Sequence, residues 1–112
     1  MNAKDKAKIL HAALERLVEL LKRDPGNRWS AKFENDLTAS KALIDGTFSQ
    51  DVATKLSQSI VSVFGGMGSF NDYSPSVYNA ATGRYVAIPG CDDFGEVTTR
   101  VHDAAIGLRT LE

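Results

Sequence analysis

A cysteine and a histidine near the C-terminal end are the residue types that could form a nucleophilic pair. Cys91 is the single cysteine of the 112-residue chain, and His102 is one of two histidines. A reactive thiolate needs an imidazole within hydrogen-bond reach and a third group that orients the ring. The start of a helix is expected between Cys91 and His102, and no orienting group is evident. We therefore predict a non-catalytic protein, with His102 exposed on the outer side of that helix.

Two adjacent acids, Asp92 and Asp93, have the residue type for a metal or acid–base site. Helix N-termini also attract aspartate, because its oxygens accept hydrogen bonds from free N–H groups and oppose the helix dipole. We expect one of the two acids to cap the last helix. A zinc site needs more than the scattered Cys91, His11 and His102, and the EF-hand register is absent. No metal and no cofactor is predicted.

A glycine-rich run lies in the middle of the chain, at Gly65, Gly66, Met67, Gly68, Ser69, Phe70, Asn71 and Asp72. A phosphate-binding loop would need a lysine after the glycines, and a dinucleotide loop would follow a strand. Neither condition holds, so the run predicts a tight turn between a helix and a strand. A ligand-binding or small catalytic pocket at this loop stays open as an alternative, with Ser69, Asn71, Asp72 and His102 as its residues.

Four segments with apolar residues at three- and four-residue steps predict helices that must position these groups. The segments are Ala3–Arg23, Ser30–Asp45, a third that starts at Thr47 or Ser49 and ends near Phe64, and a fourth from Asp92 or Asp93 to about Thr110. Ser30 is the expected N-cap of the second helix. Ile9 of the first helix and Val52 of the third are expected to face the core.

Strand-favouring residues follow the glycine run, and a turn sequence interrupts them. They predict a β-hairpin formed by Ser76–Tyr78 and Tyr85–Ile88. The predicted fold is therefore mainly α. It is a single compact domain over residues 1–112, with four helices and a short antiparallel hairpin between helices 3 and 4.

The glycine run also carries a family resemblance. The order helix, Gly-Gly-Met-Gly-Ser-Phe-Asn-Asp, hairpin, helix resembles that of a small bacterial family of unknown function. This sequence departs from its pattern where Tyr73–Ser76 interrupts the strand and where Asn79–Gly83 makes a longer turn. Some members resemble immunity proteins that neutralise toxins. The resemblance implies the fold and suggests a protein partner, and it implies no catalytic residue.

Charge is distributed unevenly, although the net charge is only −1 and the pI about 6.1. Residues 1–23 hold six basic and three acidic residues, whereas residues 70–96 hold four acids against Arg84 alone. The near-neutral total argues against a nucleic-acid partner. The N-terminal residues lack the apolar region of a secretory signal, and no apolar run reaches the ~20 residues of a membrane span. We expect a cytoplasmic protein with no membrane partner.

These observations favour a protein-binding module, and specifically an immunity protein that binds and neutralises a cognate basic toxin domain. Tyrosines would anchor the partner and acids would steer it. The predicted contact residues are Asp72, Tyr73, Tyr78, Tyr85, Asp92, Asp93 and Glu96. Besides the pocket described above, the other alternative is a homo-oligomeric structural protein that uses its first helix as the interface.

Overall fold

The predicted order of elements is confirmed in the computed structural model, which describes residues 2–65, 70 and 73–109. The four helices are α1 (Ala3–Leu21), α2 (Ser30–Asp45), α3 (Gln50–Val61) and α4 (Phe94–Gly107). Strands β1 (Ser76–Asn79) and β2 (Arg84–Ala87) form an antiparallel hairpin between α3 and α4. The fold is mainly α, as expected; β1 ends one residue later than predicted, and β2 begins and ends one residue earlier.

The starts of α2 and α3 follow local side-chain chemistry, although the predicted cap of α2 is wrong. Ser49 caps α3, since its hydroxyl accepts from the Val52 N–H at 3.4 Å. Ser30, however, is the first residue of α2 and not its cap. The Asn27 side-chain oxygen accepts from the backbone N–H groups of Trp29 and Ser30 at 2.7 and 2.8 Å. Asn27 thus satisfies free N–H groups at the start of α2 from three residues upstream of Ser30.

The core forms where α1 packs against α2 and α4, and where α3 packs against α2 and α4. Leucines at positions 10, 14, 17, 20 and 21 make α1 the most buried element. Ile9 and Val52 were expected in the core but are 49% and 48% exposed. Each lies about a quarter turn from the middle of its buried stripe, so the neighbouring helices do not cover it.

The glycine loop is tied to the core through Phe70, whose side chain is 1% exposed. α3 ends at Val61, three residues earlier than predicted, and the chain then turns. The Phe70 N–H donates to the Val63 carbonyl at 2.8 Å, which brings the two ends of the loop together. Five aromatic rings lie 4.7–5.9 Å from the Phe70 ring, namely Trp29, Phe33, Phe64, Tyr73 and Phe94. The motif phenylalanine is therefore the centre of the aromatic core.

Candidate functional site: the hairpin and its base

The hairpin is the most exposed ordered element of the described chain. Its two strands pack chiefly against each other, and all four residues of β2 are exposed. Four large apolar side chains remain open to solvent there: Val77 (46%), Tyr78 (59%), Tyr85 (72%) and Val86 (41%). Large apolar side chains exposed together on one small element are a feature of binding surfaces.

The register divides these side chains between the two faces of the hairpin. Val77 pairs with Val86 on one face, and Tyr78 pairs with Tyr85 on the other. The two tyrosine rings meet edge to face, with centroids 5.4 Å apart. This contact stabilises the strand pairing and holds both hydroxyl-bearing rings at the surface.

The tip of the hairpin is a closed turn. The Asn79 carbonyl accepts from the Gly83 N–H at 2.9 Å, and the Asn79 side chain accepts from the Ala81 N–H at 3.0 Å. Gly83 has a φ of +67°, which favours glycine over residues with a Cβ. The turn therefore fixes the register that aligns the tyrosine pair.

The base of the hairpin is fastened to the C-terminal end of α1. The Tyr73 hydroxyl donates to Asp24 Oδ2 at 2.6 Å, and the Tyr73 ring stacks on Phe70. The strands enter and leave the base together, because the Ile88 N–H donates to the Pro75 carbonyl at 3.2 Å. Burial and the Asp24 carboxylate raise the pKa of Tyr73 well above its ordinary value. Tyr73, predicted as a partner contact, is thus half-buried and bonded within the chain.

The loop after β2 lies against the side chain of Arg23, two residues beyond the end of α1. Gly90 has a φ of +85° and lies directly under the Arg23 guanidinium, so that a Cβ there would overlap Arg23 Nη1. The Arg23 guanidinium also lies 3.5 Å from Glu19, which in turn pairs with Arg16 at 2.8 Å. Glycine at position 90 therefore serves both the left-handed turn and the close approach of Arg23.

Asp93 completes this attachment and corrects the prediction for the start of α4. It occupies the N-cap position, but its side chain makes no capping hydrogen bond. Instead its two oxygens accept from Arg16 Nε and Nη2 at 3.0 and 2.9 Å. The hydrogen bond from Arg16 lowers the pKa of Asp93 below its ordinary value. A bidentate partner on α1 competes successfully with the local N–H groups.

The other predicted acids differ in their surroundings. Asp92 is exposed, and Glu96 is exposed and lies 3.5 Å from Arg100. Asp72 and the motif residues Gly66, Met67, Gly68, Ser69 and Asn71 lie outside the described residues, and Gly65 is exposed. Both acids are therefore accessible, and Asp92 lies at the hairpin base, where it lines a cavity with Tyr73 and Ser74.

Cys91 and His102, the candidate nucleophilic pair, contact different groups. Cys91 is buried with its Sγ 4.0 Å from the Leu20 carbonyl, while His102 Nδ1 lies 3.3 Å from Asp103. The His102 side chain is 38% exposed and its ring packs against Phe64. A pocket of about 260 Å³ opens there, lined by Phe64, Thr98, Thr99 and His102. Within the described part of the chain, no cluster of three or more His, Cys, Asp or Glu side chains could hold a metal ion.

A groove between α1 and α4 escaped the sequence analysis. It has a volume of about 600 Å³ and is mainly apolar, with Ile9, Ala12, Ala13 and Ala104 among its lining residues. Small residues there leave space between the helices, a feature that a hydrophobic stripe alone does not reveal. Along the described residues, no helix has the length and apolar character needed to cross a membrane.

The chain matches one known protein family. The pattern that defines a domain of unknown function (DUF6966) matches residues 22–83, which is more than half of the chain. The chain belongs to that family. The DUF6966 match begins at the end of α1, includes α2, α3, the glycine loop and β1, and ends at Gly83 in the hairpin turn. The resemblance to a small family of unknown function is thereby confirmed. No curated protein and no solved structure matches the chain.

Proposed function

We propose that this protein is a non-catalytic binding module that contacts a protein partner through its hairpin. The observation that carries the proposal is the exposure of Val77, Tyr78, Tyr85 and Val86 on one small projecting element. Tyrosine gives a large contact area at low entropic cost, and it is enriched among residues that dominate binding energy. The fastened base supports this role, because a pre-positioned hairpin loses little freedom on binding.

The sharper form of the proposal is a cytoplasmic bacterial immunity protein that neutralises a cognate toxin. Asp92 and Glu96 would steer a basic toxin domain toward the hairpin, and the bound module would block access to the toxin's active surface. The earlier resemblance to toxin-immunity proteins supports this form. Tyr73 and Asp93, whose polar groups are bonded within the chain, act in this proposal by positioning the hairpin.

Co-expression with the product of the neighbouring gene tests the proposal. The wild-type chain should co-purify with that product, and the double variant Y78A/Y85A should not. The matched control is V52A/I106A, which removes two exposed apolar side chains outside the hairpin. Absence of a wild-type complex contradicts the immunity form, and equal loss in both double variants contradicts the hairpin as the contact surface.

A second candidate is a homo-oligomer that uses α1 as its interface. The groove between α1 and α4 and the exposure of Ile9 favour it. Light scattering at working concentration distinguishes the two, because a monomer removes this candidate. A larger species that the variant Ile9→Arg converts to a monomer would support it.

The pocket beside His102 supports a third candidate, a ligand-binding role, less strongly than the exposed hairpin supports partner binding. The Thr98 and Thr99 hydroxyls both donate to the Gly95 carbonyl, at 2.9 and 3.0 Å, so that neither offers its proton to a ligand. His102 and the aromatic edge of Phe64 would have to supply the recognition. A loss of ligand binding on His102→Ala, with the hairpin intact, would be its signature.

A further inference from the structure

The groove between α1 and α4 is an apolar surface that the rest of the described chain leaves uncovered. Its volume is about 600 Å³, and its apolar part is formed by Ile9, Ala12, Ala13 and Ala104. Ile9 is 49% exposed, whereas Ala13 is buried. A large exposed side chain and a recess made by small residues thus belong to the same surface.

The charged residues of the groove are of both signs. Arg16 is neutralised by its bidentate bond with Asp93. Arg100 and Asp103, which lie on the α4 wall, are 64% and 73% exposed. Arg100 lies 3.5 Å from Glu96, and Asp103 lies 3.3 Å from the imidazole of the residue before it, so their contacts are within α4. The wall therefore offers one base and one acid, a single helical turn apart.

α1 and α4 run antiparallel, which fixes the level of these two charges along α1. Arg16, in the second half of α1, bonds to Asp93 at the start of α4. Leu20 lies against Cys91 at the same end. Both helices rise by about 1.5 Å per residue. The midpoint between the two charges is therefore level with Ile9 to within about one helical turn.

These features favour a second copy of the chain as the occupant of the groove. An antiparallel pairing about a two-fold axis reverses the order of residues, so Arg100 of each copy faces Asp103 of the other. The same axis, at the level of Ile9, brings that side chain of each copy to the apolar recess of the other. A uniformly basic or acidic partner would instead meet one repulsive charge for each attractive one.

The size of the α1 and α4 face indicates how strong the association is. α1 has 19 residues and is therefore about 28 Å long, and two helices side by side are about 20 Å wide. Two such faces bury on the order of 1,100 Å² together, which is at the low end for specific complexes. We expect a reversible dimer with a dissociation constant of roughly 10–100 µM.

We propose that the groove binds the same groove of a second copy, forming an antiparallel dimer held by Ile9 and by two Arg100–Asp103 ion pairs. The inference rests on the oligomer candidate of the proposed function and gives it a geometry. The hairpin base is fastened at Asp24, beyond the C-terminal end of α1 and roughly 20 Å from the level of Ile9. Both hairpins therefore remain accessible, at opposite ends of the dimer.

Sedimentation equilibrium of the full chain from about 5 to about 500 µM measures the association. The average mass should rise with concentration toward that of two chains. Y78A/Y85A should associate as the wild-type chain does, because the hairpin lies outside the interface. A wild-type chain that stays monomeric at the highest concentration overturns the inference and the oligomer candidate, and it leaves hairpin binding to be decided by capture of the neighbouring gene's product.

Charge reversal tests the pairing itself. R100D gives the groove wall two acids and D103R gives it two arginines, so each variant should self-associate at least about tenfold more weakly than the wild-type chain. An equimolar mixture of the two should recover the wild-type affinity to within about threefold, since every acid then faces an arginine. A defect in folding cannot produce this recovery. Unchanged self-association of the single variants, or no recovery in the mixture, overturns the inference.

A second pair of variants tests the apolar contact. Ile9→Arg should abolish the dimer, whereas Val52→Arg changes an equally exposed side chain on α3 and should leave it intact. Equal loss in both variants overturns the inference. If Ile9→Arg abolishes the dimer but the charge mixture shows no recovery, the oligomer candidate stands and the antiparallel pairing is wrong.

Discussion

Arg16 on α1 and Asp93 at the start of α4 form a bidentate ion pair across 77 positions of sequence, with N–O distances of 3.0 and 2.9 Å. The pair fastens the segment that follows the hairpin to the longest helix. Together with Tyr73–Asp24 and Gly90–Arg23, it fixes where the hairpin leaves the helical body.

The ion pair predicts a pH-dependent stability. Because the pKa of Asp93 is lowered in the folded chain, the pair stabilises above the ordinary value of 3.8, and this contribution is lost as the pH falls through the lower, folded pKa. Asp93→Asn should unfold at lower urea than the wild-type chain at pH 7, with a difference that shrinks at pH 3. Asp92→Asn, which changes an exposed acid, is the control. Equal destabilisation by both variants would contradict the assignment.

Tyr73→Phe tests the hydrogen bond to Asp24 without removing the stacked ring. We expect a loss of about 1–2 kcal/mol in the free energy of unfolding, since the acceptor is charged. The raised pKa of Tyr73 also makes the wild-type fold lose stability as the pH rises above 10.0, where the unfolded tyrosine ionises and the folded one does not. Urea unfolding at pH 8 and pH 11 measures both effects. If the stability of Tyr73→Phe falls as steeply between pH 8 and pH 11 as that of the wild type, the hydrogen bond from Tyr73 to Asp24 is contradicted.

Two glycines with positive φ provide a matched comparison. A Cβ at Gly83 meets nothing within 4 Å, so Gly83→Ala should cost about 1 kcal/mol from backbone conformation alone. Gly90→Ala has the same backbone cost, and the Arg23 guanidinium, the end of a flexible side chain, must also move, so we expect a cost equal to or slightly above that at Gly83. Thermal unfolding of the two variants measures the difference. If Gly83→Ala proves the costlier change, the close approach of Arg23 to Gly90 is contradicted.

Phe70→Ala should destabilise the fold by about 3–5 kcal/mol, because it removes the ring that five other aromatic side chains surround. Tyr85→Ala, a change of an aromatic that is 72% exposed, should cost no more than about 1 kcal/mol, from the lost contact with Tyr78. Urea unfolding of both variants would show the contrast. A small effect at Phe70 would mean that the motif loop does not depend on this anchor.

The helices and the hairpin could be predicted from periodicity and turn residues, because these are local signals. The bonds that Tyr73 and Asp93 make within the chain could not be predicted, since they depend on Asp24 and Arg16, which are far away in sequence. Aspartate next to a helix start predicts a cap equally well whether or not an arginine reaches it. The prediction that Ile9 and Val52 face the core was wrong for a related reason. Residues at the margin of an apolar stripe are buried only where a neighbouring helix extends over them.

Contacts between residues distant in sequence also reduce the predicted contact surface, because they engage the polar groups of Tyr73 and Asp93. Tyr78 and Tyr85 remain exposed, with ring centroids 5.4 Å apart, and Asp92 and Glu96 also remain exposed. The sequence identified these residues because aromatics and acids concentrate in one region. The sequence could not distinguish Tyr78 and Tyr85 from Tyr73, because the difference lies in the hydrogen bond from the Tyr73 hydroxyl to Asp24.

The affinity of the hairpin for its partner tests the central claim most directly. Calorimetric titration of the neighbouring gene's product into wild type, Y78A/Y85A and V52A/I106A gives three dissociation constants. The account predicts a loss of about 100-fold or more for the hairpin variant and less than about threefold for the control. Equal affinities of the wild-type chain and the folded Y78A/Y85A variant would contradict it.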